Sequence, residues 1–289
     1  MGLPLMQSGV ARAALLADGA RLHLQAGPID LILWAEPDVR SAAYAEAALR
    51  FDGLLEALAA ELGELRREGG QPRGVVAQRM ARAVAPFAPE FITPMAAVAG
   101  AVAEEVLAAM AGVAPGAKLW VNNGGDIAWQ VTSGEMRLAM AGGSIAVPAC
   151  ATWRGCATSG RGGRSHSLGI ADAVTVLARS AAVADAAATM IANRVDLPGH
   201  SGVHRRPAEE LSPDSDLGAR LVTVGLDVLS PAEVETALAR GAAYAAGLQA
   251  RGLIGPVHLA LQGQSRQVGM SDLITDTSDT MMKLEAPHG

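Results

Sequence analysis

The spacing of apolar residues changes along the chain, and the order of these changes restricts the fold more than any single motif does. Residues 10–16 and 21–25 alternate as strands do, and they flank Asp18-Gly19, a dipeptide that suits a tight two-residue turn. A third strand is predicted over 29–35. The chain therefore begins with an antiparallel hairpin and a neighbouring strand, with no helix between them.

Helical spacing follows this first section. Alanine, leucine and charged residues recur at three- and four-residue intervals over 38–68, and a break is expected at Asp52-Gly53. The other predicted helices cover 74–84, 94–110, 181–194 and 231–251. The later predicted strands cover 118–121, 127–131, 137–141, 144–147, 173–177, 220–229 and 257–262. A glycine-rich passage at 155–169 and a stretch at 196–216 are predicted to be irregular.

Strands first, then helices, then a mixture of both predict an α+β fold and not an alternating βαβ array. We expect a single domain over 1–289 with antiparallel sheets, packed helices and a loosely held tail over 264–289. No G-x-G-x-x-G motif follows a first strand, so the usual signal of a doubly wound dinucleotide-binding fold is missing.

Composition excludes several classes of function. Half of the residues are hydrophobic but only 3% are aromatic, so the core must consist of Ala, Val, Leu and Met. The formal charge is −6 and basic residues are not interleaved with aromatic ones, which argues against nucleic-acid binding. Cys150 and Cys156 have no C-x-x-C partner, so we expect reduced thiols without zinc.

We also expect a cytoplasmic protein without a membrane span. Residues 1–6 lack the charged and apolar segments of a signal peptide. The most apolar stretch, 95–113, is interrupted by Glu104 and Glu105.

The helix predicted over 181–194 carries a candidate metal site. Asp185 and Thr189 are four residues apart, so their side chains project from one face of that helix. Mg²⁺ takes few protein oxygens and completes its shell with water and substrate phosphates, so this sparse pair would suit a phosphate-bearing ligand. The residues alone also allow a plain role, in which Thr189 merely bonds to the preceding turn.

Two loops offer further candidate residues for ligand binding. The first loop combines glycines, arginines and hydroxyls that suit an anion, at Arg161, Gly163, Arg164, Ser165, His166 and Ser167. Histidine side chains commonly exchange protons near neutral pH, so His166 is the candidate acid or base. The second loop is the turn Asn123, Gly124, Gly125 and Asp126, whose amides and carboxylate could lie beside a ligand. A simple connector and a simple hairpin are the alternative interpretations of these two loops.

At these residues the sequence resembles the FAD:protein FMN transferase superfamily, also called ApbE-like. Its Gly-Gly-Asp turn looks like 124–126, and its Ala-Asp-Ala-x-Ala-Thr helix looks like 184–189. In that superfamily the helix Asp and Thr hold Mg²⁺ beside the FAD pyrophosphate. The resemblance therefore implies Mg²⁺ at Asp185 and Thr189, with FAD or FMN as the ligand.

A branch of this superfamily, the UPF0280 family, is similar over about residues 10–262. The similar segments are Ile29–Leu33, Thr93–Ala103, Val121–Asp126, Ser167–Val176 and Pro213–Gly218. Membership of this branch implies a T-fold-like architecture, with ligand sites formed by antiparallel strands and helices.

The sequence departs from the transferase pattern at two motifs. A Lys-Gly pair is replaced by Ala99-Gly100, and the His-x-x-Asp-Pro-x-Thr-Gly motif is reduced to His166 followed by Ser-Leu-Gly. Three functions stay open: a Mg²⁺-dependent group transferase acting on a flavin- or nucleotide-like ligand, an enzyme of reduced-pterin cofactor synthesis, and a non-catalytic cofactor carrier or assembly protein. Surfaces rich in Ala and Gly lead us to expect a homodimer.

Overall fold

The computed structural model describes residues 11–140, 143–163 and 165–269, and the backbone of 275–276. Its strands, named in chain order, are β1 (Arg12–Leu15), β2 (Arg21–Ala26), β3 (Ile29–Ala35), β4 (Leu119–Asn123), β5 (Asp126–Gln130), β6 (Glu135–Met140), β7 (Gly143–Pro148), β8 (Gly155–Ser159), β9 (Ala173–Ala178), β10 (Val203–Pro207), β11 (Leu221–Leu226), β12 (Val257–Leu261), β13 (Gln264–Val268) and β14 (Thr275–Asp276).

The helices are α1 (Arg40–Phe51), α2 (Leu54–Ala59), α3 (Leu62–Leu65), α4 (Val75–Val84), α5 (Val98–Val113), α6 (Ala181–Arg194), α7 (Ala208–Leu211) and α8 (Pro231–Ala250). Two short 3₁₀ turns, Ala85–Phe87 and Pro94–Ala97, precede the helix α5.

The main sheet has nine strands in the order β1-β2-β3-β4-β5-β8-β9-β12-β13. Each neighbouring pair is antiparallel. The strands β14, β7 and β6 form a second sheet, and β10 pairs with β11. The predicted α+β class, with antiparallel sheets and packed helices, is therefore confirmed.

Elements with strong local signals lie where the sequence predicts them. The third strand covers Ile29–Ala35 as predicted. Gly53 has a φ of 72° and divides α1 from α2, as expected for the break in the long helical stretch. Ser230 and Glu233 form the reciprocal capping box at the start of α8, and the side chain of Ser180 caps α6.

Three stretches predicted to be irregular contain regular structure. Strand β8 lies within the glycine-rich passage, β10 and α7 lie within 196–216, and β13 begins the polar tail. The prediction was wrong at these strands because their composition is not typical of strands: β8 contains a glycine, and β10 and β13 carry few apolar side chains. Gly155 of β8 gives room to a neighbouring helix. The strands β10 and β13 alternate between part-buried and exposed residues, so they carry few apolar side chains.

Helix α6 lies at the centre of the main core. Nine of its residues are buried: Ala181, Ala182, Ala184, Ala186, Ala187, Ala188, Met190, Ile191 and Ala192. It packs on β8 and β9 on one side and on α5 and α8 on others. A helix that is apolar on nearly all sides is expected in such a position.

Glycines of three neighbouring segments let the backbone of α6 come close. A Cβ atom on Gly100 of α5 would lie 2.3 Å from the carbonyl oxygen of Ala181. A Cβ atom on Gly155 of β8 would lie 2.1 Å from the nitrogen of the same alanine, and one on Gly169 would lie 2.0 Å from the oxygen of Ala192. Only glycine fits at these three positions without a movement of backbone.

The two faces of the main sheet belong to different cores. Val174 and Val176 of β9 point into the main core with α6, whereas Leu177 joins a smaller core with Trp129. That smaller core also includes residues of β6 and β7. Both cysteines are free thiols, and burial raises the pKa of Cys156 to about 12, so this thiol is not reactive at neutral pH.

Helix α5 and the 3₁₀ turn before it, Pro94–Val113, have the length and apolar composition of a membrane span, but they lie in the core. The two carboxylates that interrupt the span are paired with other parts of the fold. Glu105 forms ion pairs with Arg50 and Arg79, and Glu104 accepts a hydrogen bond from the Ala182 amide at 3.0 Å. The segment is therefore the core helix of a soluble α+β domain.

The close approach of β8 and α6 predicts a large effect of one methyl group. We expect Gly155→Ala to lower the free energy of unfolding by about 2 kcal/mol or more, because the added Cβ meets backbone that cannot move alone. Gly247→Ala is the matched control: this exposed glycine of α8 has open space around it, so the change should stabilise by about 0.5–1 kcal/mol. Urea denaturation measures both, and equal effects would contradict the packing argument.

Candidate functional site

The turn between β4 and β5 is shaped by its own side chains and glycines. The Asn122 Oδ1 accepts a hydrogen bond from the Gly125 amide at 2.8 Å. Gly124 and Gly125 have φ angles of 64° and 112°, which side chains rarely allow. The turn ends at Asp126, the first residue of β5, which is only 8% exposed.

The same turn is tied to two other elements. The Asp126 Oδ1 accepts a hydrogen bond from the Thr158 amide of β8 at 3.1 Å. The buried Asn123 donates its Nδ2 to the Ala99 carbonyl of α5 at 3.1 Å. The turn predicted as a ligand loop thus lies against the start of α5 and the end of β8.

Asp185 projects from α6 toward this turn. Its Oδ2 accepts a hydrogen bond from the Gly100 amide at 3.0 Å, and the side chain is part-buried. Burial raises the pKa of Asp185 well above its usual value, and the negative charge of Asp126 raises it further. The amides of Gly100 and Ala99 act in the opposite direction without cancelling these effects.

Thr189 lies one turn further along α6 and reaches β8. Its Oγ1 donates to the Ser159 Oγ at a long distance of 3.5 Å. Two carboxylates, Asp126 and Asp185, and two hydroxyls, Thr189 and Ser159, therefore come from neighbouring parts of three elements.

This set of hard oxygen donors fits Mg²⁺ but does not fill its coordination shell. Among the residues that the structure describes, no three His, Cys, Asp or Glu side chains are grouped so that they could hold a metal ion. Mg²⁺ commonly uses one or two carboxylates together with water and phosphate oxygens. The arrangement is thus suited to a cation whose coordination shell is completed by the oxygens of a phosphate-bearing ligand.

The glycine-arginine loop that follows Ser159 is held largely by the protein itself. The Arg161 guanidinium donates to the Asp172 Oδ1 at 2.6 Å. The Asp172 Oδ2 accepts a hydrogen bond from the backbone amide of Gln262 at 2.5 Å. His166 is exposed, and its Nε2 lies 3.2 Å from the Ser212 Oγ. In the described part of the chain, the side-chain contacts of Arg161 and His166 are therefore made with Asp172 and Ser212 and not with Asp185.

The remaining residues of this loop divide into buried and exposed ones. Ser167 is buried, its Oγ accepts from the Gly169 amide at 3.2 Å, and its carbonyl accepts from the Thr223 amide at 2.9 Å. Gly163 and Ser165 are exposed. Arg164 lies outside the described residues.

Sequence reasoning missed several residues that build this site. Ser159 and Thr158 were hidden in a passage predicted to be a loop, although its Cys-Ala-Thr-Ser letters are compatible with a short strand. The backbone of Ala99 and Gly100 supplies one acceptor and one donor, and a sequence pattern gives no direct signal for such contacts.

The chain matches a family model described as "AbpE bacteria" over residues 13–267, which includes every part of this site. The chain therefore belongs to the ApbE-like family, in its UPF0280 branch. The UPF0280 protein of Methanopyrus kandleri is 41% identical over 128 residues, which are 41% of this chain and 48% of that protein. The one of Archaeoglobus fulgidus is 37% identical over 136 residues, which are 46% of this chain and 57% of that protein.

Over these alignments the UPF0280 chain spans about half the length of the curated relatives it matches. The family assignment confirms the resemblance on which the Asp185 and Thr189 prediction was based. It relates the chain to the flavin transferases at the level of the family.

The raised pKa of Asp185 predicts a pH-dependent stability. The folded protein holds this proton more tightly than the unfolded chain does, so stability falls as the pH rises from the unfolded carboxyl pKa of about 4 toward the raised folded pKa. Asp185→Asn should remove this loss, so the variant gains thermal stability over the wild type as the pH increases. Melting curves in EDTA between about pH 4 and 8 measure the difference.

Asp214→Asn is the control for these melting curves, because Asp214 is exposed in the loop before β11. Parallel curves for the wild type and Asp185→Asn would show that Asp185 is ionised normally in the folded protein.

Proposed function

We propose that this protein binds a phosphate-bearing ligand of the flavin or nucleotide type in the cytoplasm, through a divalent cation such as Mg²⁺. The single observation that carries the proposal is that two carboxylates, buried Asp126 and part-buried Asp185, meet at the start of α5. Asp185 accepts from Gly100 there, and Asn123, in the turn that ends at Asp126, donates to Ala99. Two neighbouring carboxylates in such a place favour either a shared proton or a cation.

A divalent cation would relieve the repulsion between these carboxylates and attract the oxygens of a phosphate group. Asp185 and Thr189 would hold the cation, and Asp126 would orient it or its bound ligand. When bound, the cation supplies charge neutralisation for the phosphates.

The protein's own contacts prepare the site for this role. The Gly100 amide donates to the Oδ2 of Asp185 and so holds this carboxylate in place. The Thr158 amide similarly holds the Oδ1 of Asp126. Fixed donors of this kind reduce the rearrangement that binding requires.

A second candidate function, a carrier that holds its ligand without turnover, is favoured by two departures from the transferase pattern. Ala99 takes the place of the lysine, and its carbonyl accepts from Asn123, so this position brings no positive charge. His166 is exposed beside Ser212, and the Asp-Pro that should follow it is missing. Both departures remove groups that could act on a bound phosphate while leaving the cation donors intact.

Calorimetry with MgCl₂ and either FAD or FMN tests the binding site. We expect Asp185→Asn and Thr189→Val to abolish the Mg²⁺-dependent part of binding, because each removes an oxygen donor. Thr236→Val is the matched control, since the Thr236 Oγ1 only bonds to the preceding turn of α8. Unchanged binding in the Asp185 variant would reject the assignment.

The nature of the ligand and the presence of turnover are decided by purification without added cofactor. Absorbance and mass spectrometry of the released small molecule separate a flavin from a reduced pterin. Incubation with FAD, Mg²⁺ and a hydroxyl-bearing acceptor then separates FMN transfer, in which a phosphate ester forms on the acceptor as AMP leaves, from retention of intact FAD. A co-purified pterin would instead favour the alternative of reduced-pterin cofactor synthesis.

A further inference from the structure

Two segments that resemble the family, but that contribute no side chain to the cation site, contact each other. The Thr93 hydroxyl donates a hydrogen bond to the Asp216 carboxylate, although the residues are 123 positions apart. Thr93 is only 2% exposed, so its hydroxyl depends on a partner inside the protein. Asp216 is that partner.

Asp216 belongs to a compact loop between α7 and β11. The Ala208 amide donates to the Arg220 carbonyl at 2.9 Å, and the Glu209 amide donates to the Gly218 carbonyl at 3.0 Å, so the ends of the loop are close together. The Arg220 guanidinium also lies over the Phe91 ring, 3.2 Å from its centroid. The loop is therefore docked on residues 91–93 by two side chains.

A short, stiff path connects Thr93 to the candidate site. The Ala96 amide donates to the Thr93 carbonyl at 3.1 Å and begins the 3₁₀ turn Pro94–Ala97, which continues directly into α5. The first turn of α5 contains Ala99, which accepts from Asn123, and Gly100, which donates to Asp185. A displacement of Thr93 would be passed along this helical segment to both contacts.

We propose that Asp216 is a positioning residue for the candidate site: through Thr93 it fixes the segment 93–100 and so places the Ala99 carbonyl and the Gly100 amide against Asn123 and Asp185. This inference rests on the proposed function for its consequence, which is cation affinity. The positioning role gives a reason why the loop 213–218 and the segment 93–103 resemble the family, although neither segment contributes a side chain to the site.

The test combines a local and a functional measurement on the full chain. Thr93→Val and Asp216→Ala remove the hydrogen bond, whereas Thr93→Ser keeps the hydroxyl. Asp214→Ala is the matched control, because it removes an exposed carboxylate from the same loop. Hydrogen–deuterium exchange of peptides over 94–101 reports the local effect, and Mn²⁺ titration followed by electron paramagnetic resonance reports cation affinity.

We expect Thr93→Val and Asp216→Ala to accelerate exchange over 94–101 while α8 stays protected, and to weaken Mn²⁺ binding about tenfold, as is common when the partner of a metal-binding residue is lost. Thr93→Ser should restore both values, and Asp214→Ala should change neither. A merely stabilising contact would instead raise exchange over the whole chain in proportion to lost stability, with unchanged Mn²⁺ affinity, and that result overturns the inference.

Failure of the inference and failure of the proposed function give different results. If Asp185→Asn loses Mn²⁺ binding but Asp216→Ala keeps it, the cation site stands and the positioning role is rejected. If the wild type binds no Mn²⁺, either alone or with FAD or FMN present, the proposed function is rejected. In that case, faster exchange confined to 94–101 in Asp216→Ala still supports the positioning of this segment by Asp216. Unchanged exchange in this variant rejects it.

Discussion

The close contact of α6 with its neighbours is the constraint on which the rest of the structure depends. Gly100, Gly155 and Gly169 each face the backbone of α6 at distances that leave no room for a Cβ atom. The helix contributes mainly alanines in return, so backbones can meet where larger side chains would keep them apart. In a chain with only 3% aromatic residues, the core can exclude water in this way because small side chains pack densely.

The candidate site is a consequence of the same contact. The approach that Gly100 permits brings the start of α5 within hydrogen-bonding distance of Asp185. The approach that Gly155 permits brings the end of β8, with Thr158 and Ser159, beside the same helix. One packing arrangement therefore stabilises the fold and also gathers the oxygen donors. Burial in this arrangement raises the pKa of Asp185, and the negative charge of Asp126 raises it further.

The glycine-arginine loop illustrates how charge in a sequence can be used for structure. Arg161 looked like a phosphate-binding residue, but it donates to Asp172, and the backbone amide of Gln262, just after β12, donates to the same carboxylate. The ion pair Arg205–Asp196 fixes the far end of the loop through a further hydrogen bond from Arg205 to the Leu168 carbonyl. These two ion pairs hold the loop in place. Their arginines are therefore engaged in structural contacts, and the candidate cation donors are those of α6 and its neighbours.

The sequence by itself determined the elements whose signals are local. The hairpin β1–β2, the strand β3, the break at Gly53 and the capped start of α8 follow from turn residues, alternation and capping within a few positions. The sequence also predicted Asp126, Asp185 and Thr189 as site residues, from a glycine turn, from spacing on a helix and from the resemblance to the ApbE-like family. Only the tertiary structure decided that β8 and β13 are strands, that Arg161 is paired with Asp172, and that Ser159 and Gly100 join the site. These outcomes depend on partners far along the chain, and the free energy of burying and pairing such groups is set by neighbours that no short stretch of sequence contains.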